Sequence, residues 1–189
     1  MVRLASASKP DVQGAPSMRR WIQVFWSACV LAAVVAAVLA SRHRWARQLG
    51  RIAVGVLMLF GGAGFNAVNL ATGGDYAGFA DNAHFDWVTT AWRAVVAPHQ
   101  PMFIGLLVIY EAADGVLILI GGRRTQLGYV GAIGFHLALW LFGWFVTIYA
   151  LIIVPALVLL LLAERRAAGV ADTPPLTSSG DDRLDLIGH

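Results

Sequence analysis

The chain has 189 residues, of which 58% are hydrophobic and only 13% are charged, and its mean hydropathy is +0.68. A soluble domain typically has about 45–50% apolar and about 25% charged residues, so this composition predicts an integral membrane protein. The formal net charge of +3 arises from arginines beside apolar runs, which argues against a nucleic-acid partner. The single cysteine, Cys29, excludes an intramolecular disulfide and a Cys-x-x-Cys redox site, so a redox role would need a bound cofactor or a partner.

The apolar runs predict how many helices cross the membrane. They occupy residues 21–40, 52–71, 102–120 and 127–163. The first three each have the roughly 20 residues that a helix needs to cross about 30 Å of hydrocarbon. The fourth is too long for one span, so we predict two helices with a tight turn near residues 142–145. The sequence therefore predicts an all-α bundle of five helices, with disordered ends at 1–18 and 167–189, where residues are small and polar.

Charged residues in the connections predict the orientation. Arginines cluster within 41–51, 121–126 and 164–166, whereas the long connection at 72–101 carries three aspartates and one arginine. By the positive-inside rule the arginine-bearing connections face the cytoplasm and the 72–101 loop faces outward. We therefore predict a multi-pass protein of the cytoplasmic membrane with a cytoplasmic C-terminus.

The first apolar run, 21–40, has two interpretations. Its basic start and the small residues near Ala40 are also typical of a cleaved signal peptide. Cleavage would send the basic segment 41–51 outward, which the positive-inside rule disfavours. A retained N-terminal transmembrane helix is the favoured interpretation.

The outer loop contains a helical pattern over 81–96. Four apolar residues share one side of this helix: Phe85, Val88, Trp92 and Val95. The pattern predicts a short helix lying flat on the outer leaflet as an anchor, with a lid over a cavity as the alternative.

Three polar residues are predicted near the middle of the bilayer. At 1.5 Å per residue, Glu111 lies about 14 Å and Asp114 about 18 Å below the outer end of the third span. His136 lies about 14 Å along the fourth span, in the same layer. Ionised groups at that depth are costly and usually face inward, and the three-residue spacing places both carboxyl groups on one face of the helix, so we expect at least one proton to stay on the pair. These residues are candidates for proton handling or ligand binding, and pairing of Glu111 with His136 as an interhelical bond is the alternative. A metal site is disfavoured because no fourth ligand is evident.

Two further pairs are candidates for contacts with a quinone or another lipid-soluble ligand. Asn66 and Asn69 lie near the outer end of the second span, and Trp140 and Trp144 lie where the fourth span meets the fifth. Interhelical hydrogen bonding is the commoner role for such asparagines, and an interfacial aromatic belt is the default interpretation of the tryptophans.

One part of the chain, residues 49–163, resembles the DoxX-like family of small four-helix membrane proteins. The resemblance rests on a Gly-Arg start to a helix, a phenylalanine-glycine centre, and a glutamate followed by glycines and a basic residue. The matching residues are Gly50, Arg51, Phe60, Gly64, Glu111, Gly115, Gly121 and Arg124. The resemblance implies a membrane subunit linked to oxidoreductase systems, including quinone-coupled oxidation of sulfur compounds. Two features depart from the family: Asn66 stands where many relatives carry lysine, and the span at 21–40 lies outside the four-helix core.

The sequence thus predicts a membrane component of a redox or quinone-linked oxidoreductase system. Its expected partners are the lipid bilayer and either a redox partner protein or further copies of itself. A small proton-coupled transporter is one alternative, although no inverted repeat is visible. A scaffold or assembly subunit without chemistry is the other.

Overall fold

A computed structural model describes residues 16–171, and every regular element among them is helical. Five helices are long and apolar enough to cross a membrane. The predicted all-α five-helix bundle is therefore confirmed. Of the ends predicted to be disordered, 1–18 and 167–189, residues 16–18 and 167–171 are helical, because the first and last helices extend beyond the apolar runs. The remaining residues of both ends lie outside the described part of the chain.

The helices follow the predicted runs closely, and several extend beyond them. Their bounds are α1 Pro16–Leu39, α2 Arg44–Ala71, α3 Asp86–Ala91, α4 Gln100–Ile120, α5 Gly122–Leu139 and α6 Trp144–Ala171. Helix α2 is π-helical over Leu57–Gly64. Helix α3 continues through a π-helical turn, Trp92–Val96, and a 3₁₀ turn, Ala97–His99, into α4.

Two tight turns reverse the chain at glycines. Gly121 and Gly122, between α4 and α5, have φ of +100° and +65°. Gly143 has φ of +121° and separates the 3₁₀ turn Trp140–Phe142 from α6. Glycine adopts positive φ at little steric cost, which explains how two spans can be joined without a loop. The turn in the long apolar run therefore lies within the predicted residues 142–145.

The alternation of the helices gives the bundle two distinct ends. At one end the 72–85 loop meets the Gly143 turn, where the His84 amide donates a 3.0 Å hydrogen bond to the Leu141 carbonyl. We call this the loop end. At the other end lie the α1–α2 connection, the Gly121 turn and the C-terminal part of α6, which carry the three arginine clusters. We call this the arginine end.

Glycines let α2, α4 and α5 approach closely. A β-carbon placed on Gly115 of α4 would lie 3.0 Å from the Gly55 carbonyl oxygen of α2. One placed on Gly128 of α5 would lie 2.9 Å from the Ile118 amide nitrogen of α4. Close backbone approach of this kind is the usual way that small residues pack transmembrane helices. Helix α4 is thereby held between two neighbours, and it carries both candidate carboxyl groups.

Helix α1 is an integral part of the bundle. Three alanines on one side of it, Ala33, Ala36 and Ala37, and Ala40 directly after its last residue are fully or nearly fully buried. These alanines belong to the same buried core as Ile153 and Leu157 of α6. The span that lies outside the DoxX-like resemblance thus contributes to the central packing.

The loop helix, which is α3 with its π-helical continuation Trp92–Val96, begins at Asp86 and is therefore shorter than the predicted 81–96 pattern. Its apolar side is only half buried. Val88 is buried, and Trp92 packs on Phe142 with 5.3 Å between ring centroids. Phe85 and Val95 remain exposed. Through the contact of Trp92 with Phe142, this helix holds the loop against the α5–α6 turn. Its placement flat on the outer leaflet stays a prediction.

Candidate functional site

Glu111 of α4 is buried against α2. Only 3% of its surface is exposed, and Asn66 Nδ2 donates a 2.9 Å hydrogen bond to Glu111 Oε2. A β-carbon on Gly62 would lie 2.8 Å from the Glu111 carboxyl carbon, so only glycine leaves room for the carboxyl group. The π-helical stretch that ends at Gly64 also changes the direction in which Asn66 projects, relative to an uninterrupted α-helix. Local sequence and helix form thus combine to create this pocket.

A chain of hydrogen bonds joins the Glu111 carboxyl group to the loop end. The Tyr76 hydroxyl donates to Asn66 Oδ1 over 3.0 Å. The Tyr76 amide in turn donates to Gln100 Oε1 over 3.1 Å, and Gln100 Nε2 donates to the Gly74 carbonyl over 2.6 Å. Sequence reasoning selected Asn66 and Glu111 but missed Tyr76 and Gln100. Their separation along the chain gives no periodic signal, and only the fold of the loop brings them together.

Asp114 faces a different helix from Glu111. Its Oδ1 atom lies against Gly131 of α5, while its Oδ2 atom is buried and has no hydrogen-bond partner among residues 16–171. The expected common face for the two carboxylates is therefore not formed. Three residues turn an α-helix by about 300°, which leaves the two side chains about 60° apart. In a bundle with close neighbours on both sides, that angle directs Glu111 to α2 and Asp114 to α5.

His136 of α5 is bonded to α6 and not to α4. Its Nδ1 lies 2.7 Å from the Ala132 carbonyl oxygen, and because a carbonyl only accepts, Nδ1 is the donor. Its Nε2 lies 3.2 Å from the Tyr149 hydroxyl. The expected contact between Glu111 and His136 is therefore wrong. Counting residues along each helix predicts that the two side chains lie at the same depth. It does not determine which neighbouring helix each side chain contacts.

The asparagine pair divides between two roles. Asn66 bonds Glu111, as described, whereas the Asn69 side chain packs against Gly74 in the loop. Only Asn66 among the two touches the buried carboxyl group.

The two candidate tryptophans pack around a histidine of the loop. The His84 ring centroid lies 5.7 Å from that of Trp140 and 5.0 Å from that of Trp144. His84 Nε2 lies 2.7 Å from Thr147 Oγ1, whose own hydroxyl donates to the Gly143 carbonyl over 2.9 Å, so His84 is the donor. A ligand ring between the tryptophans would have to displace His84. The outer face of Trp144 is open, since 73% of that residue is exposed.

A second buried charged group lies toward the arginine end. Arg51 Nε of α2 donates a 2.8 Å hydrogen bond to Glu164 Oε1 of α6, and Arg51 Nη2 pairs with Glu164 Oε2. Glu164 is buried. This two-point pairing is the strong form of the arginine–carboxylate interaction. In the sequence, Arg51 belongs to an arginine cluster that predicts the orientation, and no pattern indicates that it pairs with Glu164 across the bundle.

A metal centre has no evident set of ligands among residues 16–171. No group of three or more His, Cys, Asp or Glu side chains in that part of the chain is arranged to hold a metal ion. Glu111, His136 and Glu164 instead form separate pairs at different helix interfaces.

The fold and the site together define the protein as an all-α, multi-pass membrane bundle with carboxyl groups buried at its helix interfaces. No protein-family model, curated protein or solved structure matches the chain. The DoxX-like resemblance therefore stays a prediction.

Proposed function

We propose that this protein is a component of a redox or quinone-linked system in the cytoplasmic membrane, and that Glu111 binds and releases a proton there. In this proposal the C-terminus is cytoplasmic and the loop end faces outward. The observation that carries the proposal is the hydrogen-bonded connection from Glu111 through Asn66 to Tyr76 of the loop.

The geometry of Glu111 suits a group that changes its protonation state. Among the described residues only Asn66 hydrogen-bonds to the carboxyl group, and it does so at Oε2. An amide N–H can donate to an ionised carboxylate and equally to the carbonyl oxygen of the neutral acid. Oε1 therefore remains available to take up a proton while Oε2 stays anchored. Asn66 acts as a positioning residue in this scheme.

The loop provides the proposed route between Glu111 and the outside. Tyr76 is tied both to Asn66 and to Gln100, so a change in the Glu111–Asn66 bond alters the contacts of the loop. An amide is a poor proton carrier, so water is the proposed carrier to Oε1. The hydrogen-bonded side chains fix the position of the carboxyl group relative to the loop.

The redox part of the proposal is supported by the DoxX-like resemblance and by residues that carry it. Gly115 forms the close crossing of α2 and α4, and Arg51 forms the buried pair with Glu164. We propose that the electron-carrying group is a quinone, or that it belongs to a partner protein or a second copy of the chain. The open face of Trp144 is the candidate contact for a flat ring.

Two measurements test this proposal separately. Infrared difference spectra recorded between acidic and alkaline pH should contain a carboxylic-acid C=O band that disappears in Glu111→Gln and persists in Asp114→Asn. If the band were lost only in Asp114→Asn, the group that binds the proton would be Asp114 and not Glu111. The absence of any pH-dependent band would contradict the proton proposal. Extraction of lipids from the purified protein should yield quinone in stoichiometric amount, and its absence would remove the quinone part alone.

A small proton-coupled transporter remains the second candidate, and one observation favours it. Asp114 Oδ2 is buried without a partner at the α4–α5 interface, a second place where a proton or a small polar substrate could bind. Uptake into proteoliposomes driven by a pH gradient, and lost in Asp114→Asn, would support the transporter. If Glu111→Gln and Asp114→Asn lower only stability, the scaffold alternative is favoured.

A further inference from the structure

A groove opens between α5 and α6 at the arginine end of the bundle, and none of its lining residues belongs to the Glu111 site. Its volume is about 420 Å³, and it is lined by Arg123, Gln126, Leu127, Val130, Arg165 and Ala168. The four residues from α5 follow one another at spacings of one to four, so they form a single stripe along that helix. The stripe is polar at the end of the bundle and apolar farther along the helix.

The two arginines of the groove carry charge that nothing in residues 16–171 neutralises. Arg123 and Arg165 are both exposed, and neither forms an ion pair or a side-chain hydrogen bond there. Glu164, which precedes Arg165 in the chain, is buried and pairs with Arg51. Within the described part of the chain the groove thus presents two unpaired guanidinium groups, which suit a phosphate group in size and hydrogen-bonding geometry.

The apolar wall of the groove is exposed in a way that suits acyl chains. Leu127 is 63% exposed and Val130 is 48% exposed, one and two helical turns from Arg123. Ala168, from α6, adds only a methyl group and leaves the groove open. In a helix long and apolar enough to cross a membrane, such exposed apolar side chains face lipid.

We propose that this groove binds an anionic phospholipid. The phosphate lies between Arg123 and Arg165, Gln126 bonds to the headgroup or glycerol oxygens, and one acyl chain runs along Leu127 and Val130. The two free positive charges favour a lipid with net negative charge over a zwitterionic one, because the cationic headgroup of the latter would lie near the arginines. A stripe that passes from arginine to leucine and valine matches a molecule with a charged head and an apolar tail.

Native mass spectrometry of the full chain in a neutral detergent tests the proposal. Phosphatidylglycerol and phosphatidylcholine with the same acyl chains are titrated in parallel, and phosphatidylglycerol should give the tighter one-to-one adduct. An arginine directly beside the anionic headgroup contributes about a fivefold increase in affinity, and this contribution falls off with distance, so the double variant Arg123→Gln and Arg165→Gln should bind the lipid about 30-fold more weakly. Equal binding of both lipids would overturn the proposal.

The matched control removes two charges elsewhere at the same end. Arg42 and Arg44 are also exposed but do not line the groove, so Arg42→Gln with Arg44→Gln should leave the affinity within about twofold. If this pair weakens binding as much as the groove pair does, the attraction is a diffuse property of the arginine end and the proposed site is wrong. All four residues lie at the surface, so each variant should retain the thermal stability of the parent.

A further experiment distinguishes binding of a lipid from binding of a free anion. Inorganic phosphate at millimolar concentration should not displace phosphatidylglycerol, and Leu127→Gln should weaken phosphatidylglycerol binding although it leaves both arginines in place. Displacement by phosphate, with no effect of Leu127→Gln, would mean that the groove holds a soluble anion and that the lipid assignment is wrong.

Discussion

Asn66 on α2 donates a 2.9 Å hydrogen bond to the buried carboxyl group of Glu111 on α4. The same asparagine accepts a hydrogen bond from Tyr76, so one side chain joins two spanning helices and the loop. Polar contacts of this kind between transmembrane helices contribute about 0.6 kcal/mol on average and up to about 2 kcal/mol. The following predictions test this contact and those that surround it.

Asn66→Ala should lower the free energy of unfolding in detergent by about 1–2 kcal/mol, because it leaves the Glu111 carboxyl group buried without a partner. The matched control is Asn69→Ala, since Asn69 packs on Gly74 and does not reach Glu111. We expect its effect to be less than half as large. In a double-mutant cycle, Asn66→Ala with Glu111→Gln should give a coupling of about 0.5–2 kcal/mol. Equal losses for the two asparagines, or a coupling near zero, would contradict the contact.

Glu111 and His136 should behave independently, because each bonds to a different helix. A cycle of Glu111→Gln with His136→Asn should be additive within about 0.5 kcal/mol in stability. A second cycle, His136→Asn with Tyr149→Phe, should give a coupling above that limit because those side chains touch. The opposite order of the two couplings would restore the pairing that the sequence suggested.

Gly62→Ala should be strongly destabilising, because a methyl group at that position would lie 2.8 Å from the Glu111 carboxyl carbon. We expect a loss of about 1–3 kcal/mol from overpacking. Gly134→Ala is the control: nothing lies within 4 Å of a β-carbon there, and alanine is the better helix former by up to about 1 kcal/mol. The midpoint temperature of thermal unfolding should fall in Gly62→Ala and should rise or stay unchanged in Gly134→Ala. Equal destabilisation would mean that Glu111 does not fill the space beside Gly62.

Trp92→Glu should destabilise the protein more than Thr90→Glu. Trp92 packs on Phe79 and Phe142 and donates its indole N–H to the Tyr76 carbonyl over 2.9 Å, whereas Thr90 is exposed. A charge in place of the indole loses these contacts and costs about 3 kcal/mol or more. Thr89 is unsuitable as the exposed control because its hydroxyl donates to the Ala80 carbonyl over 2.7 Å. Thermal unfolding in detergent measures both variants, and similar losses would show that the loop helix does not hold the Gly143 turn.

The orientation prediction uses single cysteines on a Cys29→Ala background. Ala77→Cys, in the 72–85 loop, should react with an impermeant thiol reagent on intact cells, because the arginine-poor end is expected to face outward. Ser41→Cys and Ala167→Cys, at the arginine end, should react only after the membrane is permeabilised. Ala77 and Ser41 are both exposed, so the side-chain accessibility of these two is matched, and Ala167 is half-buried but lies outside the buried core. Labelling of Ser41→Cys from outside would reverse the topology and revive the signal-peptide interpretation of 21–40.

The amino-acid sequence by itself determined how many helices there are and roughly where each one ends. Bilayer thickness sets the length of a span, and long apolar runs satisfy it without reference to any neighbour. The length of the last apolar run also predicted a turn near residues 142–145, because the run is too long for one span, and the structure has this turn at Gly143. The sequence also identified Glu111, Asp114 and His136 as buried, because charged groups at membrane depth are rare whatever surrounds them.

Only the tertiary structure decided what those residues touch. Depth follows from counting residues along one helix, but the partner of a side chain depends on the rotation and neighbours of every helix around it. Thus Glu111 meets Asn66, Asp114 lies against Gly131, and His136 meets Tyr149, although the three share one layer. The Arg51–Glu164 pair and the Tyr76–Asn66 bond join residues far apart in the chain, where no periodic pattern links the partners. Close packing adds to this effect, because Gly62 leaves room for the Glu111 carboxyl group and Gly131 leaves room for Asp114, and neither fit can be predicted without knowing which helices are neighbours.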